Sequence, residues 1–219
     1  MNSISNPDPA LPFDADCRRC PRLVEHRAAI RQCYPDYHSA PVPAFGVARP
    51  KLLIVGLAPG LHGANRSGRP FTGDEAGRVL FNSLYQFGFS NRACSIAPND
   101  GLELIGCRIT NAVLCLAPKN KPLASEINRC NPFLRTEIEA LERPGILLAL
   151  GHLAHNAILK ALAMPRQDFE FRHNRVHYPG PGLTLLDSYH CSRYNLQTKR
   201  MTNASFRDIF RNISQLIEA

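Results

Sequence analysis

The stretch KLLIVGLAPGLHGANRSGRPFTGDEAG, residues 51–77, decides how the chain folds. Its first six residues form an apolar run closed by Gly56, the pattern of a strand buried on both faces of a parallel sheet. Gly60, Gly63, Gly68 and Gly73 follow, with Asn65, Arg66 and Arg69 among them, and a helical pattern starts only at Asp74. A long, glycine-rich, basic loop leaving the carboxyl end of a strand is where open α/β sheets build their binding sites. An ordinary surface loop is the plainer alternative. His62, Asn65, Arg66, Arg69 and Asp74 crowd into the single segment 62–74, which favours a site. The loop matches neither the Gly-Lys-Ser/Thr ending of a phosphate-cradling P-loop nor a G-x-G-x-x-G dinucleotide fingerprint.

Working outward, residues 75–87 place Val79, Leu80, Leu84 and Phe87 on one helical stripe ended by Gly88. Asp74 falls at the N-cap of that helix, a role worth about 1 kcal/mol in its own right. Residues 108–113 (RITNAV), 146–150 (ILLAL) and 183–186 (LTLL) read as three further strands. Helices are expected over 17–34 (broken at Pro35), 133–141, 152–163 and 203–217. The last carries Phe206, Ile209, Phe210, Ile213, Leu216 and Ile217 on one face. Residues 39–50 hold three prolines and read as a connector. Residues 169–182 read as irregular and basic, with His173, Arg175 and His177. Alternating strands and helices predict one α/β domain, a central four-stranded, mostly parallel sheet flanked by helices. It is expected over 16–219, behind a flexible N-terminal tail of residues 1–15.

A chain of 219 residues with 44% hydrophobic content buries one sizeable core. It has no apolar run of membrane-spanning length, and residues 1–15 lack a signal peptide's basic start and apolar centre. A cytoplasmic location is the expectation. The net charge of +8 points to a polyanionic partner, nucleic acid first, although charge can also serve solubility alone. Eight cysteines in such a chain argue for metal or burial rather than a disulfide framework. Cys17 and Cys20 form a C-x2-C pair able to hold one side of a metal centre. Cys115 and Cys130 are a looser pair that only the fold could bring to the first. Burial as small hydrophobes is the default for Cys33, Cys94, Cys107 and Cys191.

In a parallel sheet the strands' carboxyl ends share one edge. That edge would collect the 56–74 loop, Asn111 late in the second strand and His190 just after the fourth. Asn111 inside an apolar strand must find partners, and its amide offers a donor beside an acceptor, as reading a planar imide edge requires.

Three segments, GLAPGLHGANRSGRPFTGD (56–74), TNAVLCLAPKNKP (110–122) and YHCSRYN (189–195), together with Cys17-x2-Cys20 and Cys115-x14-Cys130, give the chain a resemblance to the type B (family five) uracil-DNA glycosylases. The resemblance runs from Cys17 to the final helix. It implies a monofunctional DNA glycosylase that flips uracil out of single- or double-stranded DNA and hydrolyses its N-glycosidic bond, starting base excision repair. Hypoxanthine and other deaminated bases are further candidate substrates. By the resemblance, Phe71 lies flat on the base, Asn111 reads its Watson–Crick edge, His190 donates to O2 of the leaving uracil, and Asp74 orients water or steadies the sugar cation. Gly56, Leu57, Ala58, His62 and Asn65 fall to substrate binding, and Leu57 stands where related branches carry a polar group. Arg66, Arg69, Arg193, Tyr194, Lys199 and Arg200 are assigned to DNA, and Cys17, Cys20, Cys115 and Cys130 to a [4Fe–4S] cluster. It also implies a monomer working near the nucleoid. Cys191 replaces the family's usual proline after the histidine, which frees the backbone there and predicts a looser DNA-facing loop. The alternative from another class is a catalytically inactive iron–sulfur or zinc module that binds nucleic acid.

Overall fold

The structure, a computed structural model, describes residues 10–218. Its centre is a six-stranded sheet in the order β1-β3-β2-β4-β6-β5. The strands are β1 (Phe45–Gly46), β2 (Leu52–Gly56), β3 (Cys107–Asn111), β4 (Gly145–Leu150), β5 (Val176–Gly180) and β6 (Leu183–Ser188). The four expected strands are the parallel middle four. Two strands were not expected: β1 pairs antiparallel with β3, and β5 with β6, so the four-stranded expectation is corrected to six. β1 is only two residues long, and β5 carries Pro179 and a register irregularity, features that belong to sheet edges.

Among the described residues the α-helices are α1 (Pro21–Cys33), α2 (Ala64–Ser67), α3 (Glu75–Gln86), α4 (Ala124–Glu139), α5 (His152–Ala161), α6 (Arg193–Gln197) and α7 (Asn203–Glu218). Alternate residues of the central strands serve opposite faces, as the pleat dictates. Leu52 and Ile54 of β2, with Ile146, Leu148 and Leu150 of β4, pack against Leu80 and Leu84 of α3 and Phe206, Ile209, Phe210 and Ile213 of α7. Leu53 and Val55, with Leu147 and Ala149, pack against Leu134 and Ile138 of α4 and Ala157 and Ile158 of α5. This two-sided burial is why residues 52–55 are all apolar. A third, smaller cluster gathers Leu23, Val113, Leu114, Ala117, Cys130 and Phe133.

Helix α4 begins nine residues before the expected start, with Pro132 inside it. Glu126 anchors its first turn, accepting from Leu123 N at 2.8 Å and from Arg22 of α1 at 2.6 and 2.8 Å. Of the segment expected to be a tail, residues 1–9 lie outside the described residues. Leu11 does not behave as a tail: it donates to Pro132 O at 3.2 Å, accepts from Thr136 and packs on the third cluster. Among the described residues no helix is long and apolar enough to cross a membrane.

Candidate active site

The ends of β2 and β3 lie side by side, Gly56 registered against Asn111, and open onto a cavity of about 400 Å³. Leu57, Ala58, Gly60, Ala64, Phe71, Asp74, Glu75, Ala76, Asn111, Asn120, His190, Ser192 and Arg193 line it. The loops after β2, β3 and β6 therefore meet at the shared edge, as expected of a parallel sheet.

Glycine creates the floor. A Cβ at Gly56 would strike Asn111 Oδ1 and come within 2.9 Å of the Phe71 ring, and one at Gly77 would run into the Phe71 carbonyl. With those spaces free, Phe71 settles at 7% exposure although its φ of 55° is costly for an aromatic residue. Its ring lies nearly parallel to that of His190, at 24° and a centroid distance of 5.8 Å. Asn111 is 3% exposed, lines the cavity, and its side-chain amide makes no hydrogen bond among the described residues. A buried amide kept without a partner is a group waiting for a ligand.

Asp74 does two things at once. Oδ1 caps α3 by accepting from Gly77 N at 2.8 Å. Oδ2 points the other way, toward Gly60 and Gly63, and a Cβ at Gly63 would collide with it. Oδ2 accepts no hydrogen bond among the described residues and faces the cavity as a free carboxylate oxygen. His190 sits across from it. Burial pushes its imidazole below the ordinary 6.5, and the Asp74 carboxylate only partly opposes this. His190 is therefore neutral at pH 7, with one N–H to donate.

Cys191 corrects the expectation of a loosened loop. It is fully buried, its Sγ donates to Ala76 O at 3.3 Å, and it joins the core beneath α3. Asn195 Nδ2 donates to His190 O at 2.8 Å, and Ser192 caps α6. The His190 loop is thus tied on both sides without proline.

Other expected site residues lie elsewhere. His62 is exposed and off the cavity, bonded to Tyr37 Oη at 2.9 Å and set edge-on to Tyr34 and Tyr37. Asn65 is fully buried in α2, near Ser39, and does not line the cavity. Arg69, expected on DNA, is 4% exposed and acts as a strut. It bonds Asp100 at 2.7 Å, Ser95 at 2.7 Å, Thr72 at 3.1 Å and the carbonyl of Ala97, and its guanidinium lies over Phe45. Arg66 is exposed on α2. Arg193 and Tyr194 are exposed at the start of α6, with Arg193 on the cavity wall. Lys199 and Arg200 are exposed further along, Arg200 stacked on Tyr189. Asn120, in the 110–122 segment but given no role by the sequence, also lines the cavity.

Cys17, Cys20, Cys115 and Cys130 converge on a small cavity lined also by Leu23, Val24, Val113 and Leu114, with Arg19, Arg27 and Arg129 around it. The fold thus brings the two pairs together. A single zinc ion bound at about 2.3 Å would hold sulfurs about 3.8 Å apart. No three of these sulfurs lie within 4.8 Å of one another; among the described residues only His155, His177 and Asp187 form such a trio. Four thiols set among cationic side chains are a donor set that fits an anionic metal centre. The His155–Asp187–His177 group has its hydrogen bonds made internally, at 2.7 and 3.0 Å, with His155 Nε2 on Phe169 O. Of the remaining cysteines, Cys107 and Cys191 are buried, whereas Cys33 and Cys94 are exposed, contrary to the default.

The chain also resembles known proteins along most of its length. The family model described as "Uracil DNA glycosylase superfamily" matches residues 43–214. A Type-5 uracil-DNA glycosylase of Thermus thermophilus is 40% identical over 206 residues, covering 91% of this chain and 93% of that protein. Its namesake in Pyrobaculum aerophilum is 40% identical over 200 residues, covering 90% and 87%. A third, from Mycobacterium leprae, is 40% identical over 212 residues, covering 91% of each.

Proposed function

The chain belongs to the uracil-DNA glycosylase superfamily, and from that footing we infer that it hydrolyses the N-glycosidic bond of uracil in DNA. The observation that carries the reading is the buried, unpartnered Asn111 amide, which meets the Phe71 ring around Gly56, a site for one planar base edge. An inactive binding module would have no use for a free carboxylate oxygen and a neutral imidazole in the same cavity.

The target bond is out of reach inside a duplex, so the nucleotide must be flipped into the cavity. Phe71 supplies the stacking face, an interaction whose loss to alanine costs about 1–3 kcal/mol. Asn111 pairs with the base edge. As the bond between C1′ and the base nitrogen breaks, its electrons pass to the base and collect on O2, where the neutral His190 N–H donates to the growing anion. One preorganised donor of this kind is worth about 2.7–4 kcal/mol. Positive charge develops at C1′. Asp74 Oδ2 stabilises it, holds the water that adds to C1′ and takes that water's proton, leaving an abasic sugar and a uracil anion that is protonated from solvent. Leu57, at the cavity wall, has no group to activate water, which leaves that task to Asp74. Among the described residues no lysine lines the cavity, so a Schiff-base step with strand cleavage has no lysine nucleophile there.

Cys17, Cys20, Cys115 and Cys130 would hold a [4Fe–4S] cluster, a structural centre. It would cross-link the start of α1 to the 115–130 segment, beside Ala58 at the cavity wall. Hypoxanthine and other deaminated bases are further substrates to assay. Incubating the protein with a uracil-containing oligonucleotide, followed by alkaline cleavage, tests the proposal: cleavage at the uracil position is expected, and an intact oligonucleotide refutes it.

A further inference from the structure

The cavity wall includes Arg193 of α6 and, from the loop after β3, Asn120 of a turn with no role so far. Residues Pro118–Asn120 make a 3-10 turn in which Lys119 and Asn120 both have φ of 56°. Two successive side-chain-bearing residues in the left-handed region persist only where their surroundings fix them. Here Asn120 N donates to Ala117 O at 2.9 Å and Lys121 N to Pro118 O at 3.1 Å. Arg22 reaches Lys121 O at 3.4 Å while gripping Glu126.

The turn delivers Asn120 to the cavity wall, and its side-chain amide makes no hydrogen bond among the described residues. Depth sets its task. Asn111 and Phe71 are buried at the floor, whereas Asn120 and Arg193 are exposed at the mouth. A nucleotide whose base rests on the floor must leave its sugar and phosphates at the mouth. Lys119 and Lys121, both exposed, flank Asn120 there.

We propose that the 118–121 turn is a second jaw of the DNA interface. Asn120 Nδ2 donates to the sugar–phosphate of the flipped nucleotide, and Lys119 and Lys121 hold phosphodiesters of the same strand. This rests on the uracil-excision reading above. Asparagine suits the position doubly, since it tolerates the left-handed backbone and brings a donor.

Single-turnover uracil release against protein concentration tests it on Asn120→Ala and Asn120→Asp. Aspartate tolerates the turn as asparagine does, but replaces the donor with a charge that phosphate repels. The half-saturating concentration should rise at least fivefold for alanine and further for aspartate, while the limiting rate falls less than that. In salt titrations Lys119→Ala and Lys121→Ala should each make the slope of log affinity against log salt shallower by about 0.9. Lys160→Ala, in the last turn of α5, should leave the slope as it was. Wild-type affinity in Asn120→Asp would mean that position 120 serves only the turn, and unchanged slopes in both lysine variants would remove the phosphate contacts; either result overturns the jaw. Wild-type protein that releases no uracil overturns the excision reading itself, a distinct outcome.

Discussion

Asp74 shows how one side chain can satisfy a fold and a reaction together. Its Oδ1 holds the first turn of α3 while Oδ2 faces the cavity over Gly63. Asn caps about as well as Asp, so Asp74→Asn should keep the melting temperature of the wild type. It should also slow single-turnover uracil release at least tenfold, equivalent to about 1.4 kcal/mol. Asp74→Ala should lose both rate and about 1 kcal/mol of stability. A full rate in Asp74→Asn would reduce Asp74 to a cap. His190 makes a separate prediction through pH. Its folded pKa lies below the ordinary 6.5, chiefly by burial, so the unfolded chain binds more protons in the window beneath 6.5. Stability is then fully present above that value and is lost as pH falls toward the depressed pKa. His190→Ala should remove this share of the acid sensitivity, visible in denaturant melts between pH 7 and 5. A melt whose pH dependence ignores the substitution would contradict the neutral, half-buried state.

At the level of elements, the central sheet was legible because β2, β3, β4 and β6 are apolar runs with a glycine or polar residue at the carboxyl end. The two edge strands were not, since a two-residue pairing at Phe45–Gly46 and a proline-bearing β5 carry no period. The early start of α4 was hidden by Pro132, which reads as a break; the anchoring of Glu126 by Arg22, 104 residues earlier, is a tertiary fact. The site loop was legible in its glycines, Phe71 and Asp74, but Arg69 was misread because an arginine in a basic loop looks the same whether it meets DNA or a buried carboxylate. Burial alone would raise the Asp100 carboxyl; the Arg69 guanidinium and the N–H groups of residues 96, 97 and 102 outweigh it and hold that carboxyl well below its ordinary value. Removing one partner of such a buried pair typically costs about 3–5 kcal/mol. Arg69→Ala should therefore lower stability by that order in urea melts while leaving the salt slope of DNA binding untouched. A stable variant with a shallower slope would restore Arg69 to the interface.

For the whole molecule, the charge of +8, the sheet-edge cavity and the cysteine cluster form one design. DNA affinity should fall steeply with salt, by about 0.9 in slope for each phosphate contact, and a flat dependence would assign the charge to something else. The four converging cysteines predict a brown protein with broad visible absorption, bleached in Cys17→Ser; a colourless protein holding stoichiometric zinc would contradict the cluster. The central claim is that base release occurs here by hydrolysis, and the released base itself tests it most directly. Chromatography of a reaction with a single-uracil duplex should yield free uracil equal in amount to the abasic sites, with strands unbroken until alkali is added. Absence of free uracil, or strand cleavage before alkali, would contradict the account.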